Sequence, residues 1–215
     1  MSNEEQLLDS NFTKKTDFKE FEFPMTFEFK IGSLANDFTA KDASGNTIAY
    51  VRQKMFKLKE AIKVYSDDTK TSLQYEINAD RIIDFNASYE FTDANGSVLG
   101  SVGRKGMKSI WKANYQIFDV NKTPEFSIIE ENPWAKVGDV LLCEIPLLGL
   151  LSGYLFNPKY GIISIDGITV ARISKLPSFF GRKFKLEKLE NFKEGDSERL
   201  MLGLMMMMLL ERRRG

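Results

Sequence analysis

The C-terminal segment constrains the fold of this chain more than any other feature. Leu200–Leu210 is a run of eleven apolar residues, preceded by Asp196, Ser197 and Glu198 and followed by three arginines. Acids before the run and arginines after it suit the two poles of a helix, so a helix is predicted over about 197–213. At ~1.5 Å per residue the run spans about 16 Å, against a hydrocarbon core of ~30 Å. This helix is too short to cross a membrane.

The same run is apolar on every side, so we expect it to be enclosed by the rest of the protein. Its four consecutive methionines, Met205–Met208, suit that role because unbranched thioether side chains fill irregular space well. A methionine-rich helix that binds a partner is the alternative interpretation. We favour burial.

Most of the chain before the helix is typical of short β-strands. Phe21–Ile31 alternates apolar and polar residues, which predicts a strand with one buried face. Phe38–Lys54 and Phe91–Lys105 repeat one pattern at a spacing of 51 residues, and a weaker third copy surrounds Gly167. Each copy contains a D-x-x-G or D-G turn, in which glycine supplies the positive φ of a tight hairpin. A closed barrel or a sandwich of roughly ten to twelve strands is predicted, and a barrel can surround a helix.

The domain organisation is simple. A polar extension, 1–19, precedes a single domain, 20–215, and the extension lacks the basic and apolar regions of a secretory signal, so we expect a cytoplasmic protein. The segment 132–154 is predicted to begin as a short helix at Asn132. It is interrupted by Glu144 and Pro146, so no transmembrane span is expected there.

The composition argues against most enzyme chemistry. The chain has no histidine, which excludes Ser-His-Asp and Cys-His mechanisms and His-ligated zinc. Its one cysteine, Cys143, lies in an apolar stretch typical of a buried side chain. The candidate acids lie in predicted turns, which accounts for them. These acids are Asp42, Asp67, Asp68, Asp93 and Asp166. We therefore predict no enzymatic activity, no cofactor and no metal.

The overall charge gives no reason to expect nucleic-acid binding. Thirty basic residues balance thirty acidic ones, and no familiar nucleic-acid-binding motif is present. Any anionic partner would need a local basic patch. Basic residues do recur after the hairpins, where they are either solvated strand ends or a binding surface.

Several segments together resemble the LURP-one-related proteins. These are YVRQKMFKLKEAIKVYSDD, NPWAKVGDVLLCEIPLLG, GYLFNPKYGI, DGITVARISK and the apolar C-terminal helix. The resemblance covers roughly residues 20–213. It implies the tubby-like fold shared with phospholipid scramblases, which is mainly β: a twelve-stranded, mostly antiparallel closed barrel around a hydrophobic C-terminal helix. The scramblase likeness depends on RISK, ENF and SERLMLGLMMMMLLE.

The resemblance also implies a function. Scramblase-like proteins have an acidic stretch before the last helix that is linked to calcium, but EKLENFKEGDSE lacks the spacing of a known calcium loop. Tubby-like proteins bind phosphoinositide headgroups through basic surface residues. We therefore predict a non-enzymatic binding module, peripheral to a membrane, that binds anionic phospholipid or another phosphate-bearing ligand. The alternative is a structural or protein-interaction domain. The candidate binding residues are Arg52, Lys54, Arg104, Lys105, Arg172 and Lys175.

Overall fold

Twelve strands and one helix make up the part of the chain that the computed structural model describes. That part comprises residues 22–30, 36–53, 61–81, 88–104, 114–131, 158–177, 183–192 and 196–212. The strands are β1 Met25–Phe29, β2 Phe38–Lys41, β3 Thr47–Arg52, β4 Ile62–Tyr65, β5 Leu73–Arg81, β6 Ser88–Asp93, β7 Val98–Arg104, β8 Asn114–Phe118, β9 Pro124–Glu130, β10 Lys159–Ser164, β11 Thr169–Leu176 and β12 Lys183–Lys188. The helix is α1, Asp196–Arg212.

The strands form a closed antiparallel barrel. Each strand pairs with the next one in the sequence, and β1 closes the circle by pairing with β12, where Phe27 lies opposite Phe184. This confirms the predicted twelve-stranded closed barrel. Because neighbours are antiparallel, all odd-numbered strands finish at one end of the barrel, which we call the far end. The tight turns that join β2–β3, β4–β5, β6–β7, β8–β9 and β10–β11 lie at the other end, the hairpin end.

The repeated turns have the geometry that their sequence predicts. The carboxylate of Asp42 accepts a hydrogen bond from the backbone N–H of Asn46 at 2.8 Å. The carboxylate of Asp93 accepts one from the backbone N–H of Ser97, also at 2.8 Å. The three predicted turn glycines have φ values of 84°, 84° and 81°, a region that a Cβ atom disfavours. They are Gly45, Gly96 and Gly167.

Two further turns of the same kind were not recognised from the repeat. They start at Asp67 and Asp119, and their positive-φ residues are Lys70 (φ 61°) and Lys122 (φ 62°) in place of glycine. The spacing of 51 residues therefore corresponds to two hairpins. Each of the five hairpins also has a register shift next to its turn, so they share one bulged design.

The helix fills the barrel, as predicted. Nine apolar side chains between Leu200 and Leu209 are at most 2 % exposed, and they pack in one core with the inward strand residues, among them Phe27, Phe91 and Ile117. The helix runs from the hairpin end to the far end. Among the described residues, no helix has the length and apolarity needed to span a bilayer.

Some predictions differ from the structure or fall beyond it. The first strand was predicted from Phe21 but begins at Met25, since Pro24 has no N–H for a strand ladder. Its buried residues include Met25 and Phe29, on the predicted face. The predicted helix at Asn132, Cys143 and the 1–19 extension lie outside the described residues.

Candidate functional site

Four of the six predicted basic residues lie on described strands. Arg52 is the last residue of β3 and Arg104 the last residue of β7, while Arg172 and Lys175 belong to β11. Lys54 and Lys105 lie outside the described residues.

The strand order shows how these residues relate to one another. β3, β7 and β11 all run towards the far end, so their basic residues share that end of the barrel. In the closed order, each of these strands is four strands from the next, which is one third of the circumference. The structure therefore brings the four residues to one end, but spreads them around a ring and does not gather them in one pocket.

Other basic residues continue this ring. β10 and β12 begin with Lys159 and Lys183 at the same end, and Lys183 is paired with the Glu28 carboxylate. We call the set the basic rim: Arg52, Arg104, Lys159, Lys175 and Lys183. These residues are far apart in the sequence, and the order and direction of the strands bring them to the same end of the barrel.

The hairpin end has the opposite character. Its five turns carry six aspartates against two lysines, Lys70 and Lys122. The turns of the hairpin end are therefore mainly acidic and the strand ends of the far end mainly basic, although Asp37, Glu130 and Glu131 also lie at the far end. The aspartates are Asp42, Asp67, Asp68, Asp93, Asp119 and Asp166.

The candidate cations differ in their engagement with the rest of the protein. Arg172 Nε donates to the Glu131 carboxylate at 2.9 Å, so its charge is already paired. Arg104 and Lys175 also take part in interactions within the chain. Arg52 forms no ion pair with any described residue, and its Nε is buried without a hydrogen-bond partner among them.

Arg52 also lies beside another cation. In the β3–β4 ladder it is directly opposite Lys63, whose Nζ is 3.5 Å from the Glu76 carboxylate. Like charges directly opposite each other in a sheet are mutually destabilising. Arg52 and Lys63 therefore bring two positive charges together, one of which is paired with Glu76.

A polar network anchors the helix inside the barrel at the far end. The Glu211 carboxylate accepts hydrogen bonds from the phenols of Tyr115 at 2.7 Å and Tyr160 at 3.3 Å. Burial, followed by the nearby Glu211 charge, raises the pKa of both phenols far above the ordinary value, so they remain protonated donors at neutral pH. Sequence reasoning missed this network because its members are far apart in the chain.

A second network anchors the start of the helix. Arg199 makes two 2.6 Å hydrogen bonds to the Glu125 carboxylate of β9, and it also contacts Asp196 at 3.1 Å. The Glu198 carboxylate accepts a hydrogen bond from the phenol of Tyr75 at 2.7 Å. Asp196 and Glu198, two acids of the stretch compared with a calcium segment, are thus engaged in holding the helix. Among the described residues, no group of three or more metal-ligating side chains comes together.

A closed twelve-stranded antiparallel barrel filled by a C-terminal helix, with a basic rim at one end, defines the class of protein. The LURP-one-related family model matches residues 25–187, which is more than half of the chain. The chain belongs to the LURP-one-related family, and its fold is the tubby-like barrel, as the sequence resemblance predicted. The likeness to scramblases stays a prediction.

Comparisons with solved structures and with curated proteins add little to this family assignment. An X-ray structure of a protein from Arabidopsis thaliana matches over 93 % of this chain and 98 % of its own, with a TM-score of 0.49 and 10 % sequence identity. No curated protein matches the chain.

Proposed function

We propose that the protein is a non-enzymatic binding module that docks anionic phospholipid headgroups through the basic rim. In this proposal the protein is cytoplasmic and associates peripherally with the membrane. The observation that carries the proposal is the unequal distribution of charge along the barrel, with mainly basic strand ends at one end and mainly acidic turns at the other.

The unequal distribution of charge supports an end-on orientation. A neutral protein gains nothing from its net charge at an anionic surface, but a charge-segregated one gains when its basic end faces the lipid and its acidic end faces away. A basic residue near an anionic leaflet contributes about 1 kcal/mol, and the attraction decays within a Debye length of about 10 Å at 0.1 M salt. A ring of cations around one end suits a flat charged surface better than it suits a small ligand.

Within this proposal, Arg52 and Lys63 form the principal phosphate contact. Arg52 has no competing ion pair among the described residues, and Lys63 lies directly opposite it. The exposed Lys63–Glu76 pair costs little to break, because surface ion pairs contribute only ~0–1 kcal/mol. Arg172 is the weakest of the four described candidates, since its guanidinium would have to leave Glu131.

Vesicle flotation tests the proposal. We expect capture by vesicles of phosphatidylserine and phosphatidylcholine but not by phosphatidylcholine alone, and we expect capture to fall as salt rises. Replacing both cations, Arg52→Gln with Lys63→Gln, should reduce capture by at least about tenfold. The matched control is Lys70→Gln with Lys122→Gln, which removes the same charge at the hairpin end and should leave capture unchanged.

Two outcomes would contradict the proposal. One is the absence of capture at any anionic lipid content, which would favour a structural or protein-interaction domain. The other is an equal loss of capture in both double variants, which would show that total charge, and not the basic rim, decides the binding.

A further inference from the structure

The exposed apolar residues of the barrel are concentrated at the hairpin end. All five large hydrophobic residues that are exposed in the described part of the chain lie there. They are Val98 (45 % exposed), Val120 (54 %), Ile165 (66 %), Ile168 (53 %) and Leu189 (46 %). Single exposed aliphatic residues are ordinary, but five at one end form a surface that calls for a reason.

These residues lie on consecutive elements at the hairpin end, from the start of β7 to the end of β12, and we call them the turn patch. The N–H of Ile165 donates to the backbone carbonyl of Glu125 at 2.9 Å, which joins the β10–β11 turn to the start of β9. The N–H of Leu189 donates to the carbonyl of Val170 at 2.9 Å, which joins the end of β12 to β11. These bonds hold the elements that carry Ile165, Ile168 and Leu189 side by side, and Val98 and Val120 lie on the two preceding hairpins.

Turn geometry does not require these aliphatic side chains. Val120 and Ile165 occupy the second position of their turns, and the same position holds Ala43, Asp68 and Ala94 in the other three hairpins. The turn needs an acceptor at its start and a positive-φ residue later. A small or charged residue thus serves the turn equally well, so turn geometry does not explain the aliphatic residues.

Carboxylates accompany the turn patch. Asp93, Asp119 and Asp166 lie in the three turns that carry it, and Glu190 follows Leu189. Asp119 accepts the N–H groups of Thr123 and Asn121, which lower the pKa of this carboxyl below its ordinary value. Two lysines, Lys122 and Lys188, lie in the same stretch, so four carboxylates against two lysines leave the surface negatively charged beside the exposed aliphatic residues.

We infer that the turn patch docks a segment of a partner protein that carries both aliphatic and Lys or Arg side chains. The aliphatic residues gain when a partner covers them, and the surrounding carboxylates select a basic partner and repel an anionic lipid surface. This inference goes beyond the proposed function, since it concerns the opposite end of the barrel. Together the two would make the protein an adapter with lipid at one end and protein at the other.

Peptide titration tests the inference on the full chain. The probe is a short amphipathic Leu/Lys peptide, compared with Leu/Glu and Ser/Lys peptides of equal length. We expect only the Leu/Lys peptide to bind, with amide chemical-shift changes confined to the turns of β6–β7, β8–β9 and β10–β11 and to Leu189. Replacing Ile165→Ser with Ile168→Ser should raise the dissociation constant by about tenfold or more. The control, Ala43→Ser in the first hairpin, should have no effect.

Several results would overturn the inference. Equal binding of the Leu/Glu peptide, unchanged binding by the double serine variant, or shift changes at the far end would each contradict it. Sedimentation that shows self-association, abolished by the same two substitutions, would identify a second copy of this chain as the occupant. The double serine variant should still be captured by anionic vesicles, so failure here leaves the lipid proposal intact.

Discussion

Gly203 determines how closely the central helix approaches the barrel wall. Glycine inside a helix costs about 1 kcal/mol relative to alanine, so its presence requires a structural reason. A Cβ built on Gly203 would lie 2.5 Å from Cδ1 and 2.8 Å from Cγ1 of Ile117, far inside ordinary carbon contact. The missing side chain is what lets the helix pack against β8.

We predict that Gly203→Ala destabilises the protein by roughly 1–3 kcal/mol, because the overlap with Ile117 outweighs the gain in helix propensity. Urea unfolding measures the change. Ile117→Ala removes both clashing atoms, so the double variant should be more stable than the sum of the two single effects by about 1 kcal/mol or more. Stabilisation by Gly203→Ala alone would show that the helix has room to move.

At the scale of elements, the bulged hairpin is the unit from which the barrel is built. Its start is an aspartate in four hairpins and Ser164 in the fifth, and sequence reasoning found the hairpins in which Gly45, Gly96 or Gly167 marks the turn. It missed those in which Lys70 or Lys122 takes the left-handed position, because lysine carries no turn signal there. The positive φ of the turn glycines could be predicted from the sequence, but the positive φ of Lys70 and Lys122 could not.

We predict that Lys122→Gly stabilises the protein by about 0.5–1 kcal/mol. The substitution relieves a left-handed conformation that costs a residue with a Cβ about 1–2 kcal/mol, and the greater freedom of glycine in the unfolded chain offsets part of the gain. Lys122 is exposed, so little packing is lost. Thermal or urea unfolding checks the result. Lys122→Ala keeps the Cβ and should not stabilise; equal gains in both variants would contradict the strain argument.

At the scale of the whole molecule, charge and hydrophobicity are arranged along one axis. The apolar filling was predictable because eleven consecutive apolar residues, apolar on every side of a helix, favour enclosure over a partner-binding role. The distribution of Arg52, Arg104 and Lys175 around the rim was not predictable, since it depends on strand number and pairing order. The anchoring of Glu211 by Tyr115 and Tyr160 likewise depends on contacts that no local pattern announces.

The last prediction concerns the enclosed helix. Met206 and Leu204 are 1 % and 0 % exposed, so an aspartate at either position would be an unpaired charge inside the barrel. Such a charge costs several kcal/mol, comparable with the 5–15 kcal/mol net stability of a domain. Met206→Asp and Leu204→Asp should therefore each abolish folding, measured by near-ultraviolet circular dichroism and thermal unfolding. Val120→Asp places the same charge at a position that is 54 % exposed and should leave the fold intact. If both buried substitutions left the melting temperature unchanged, the helix would not be the filling of the barrel.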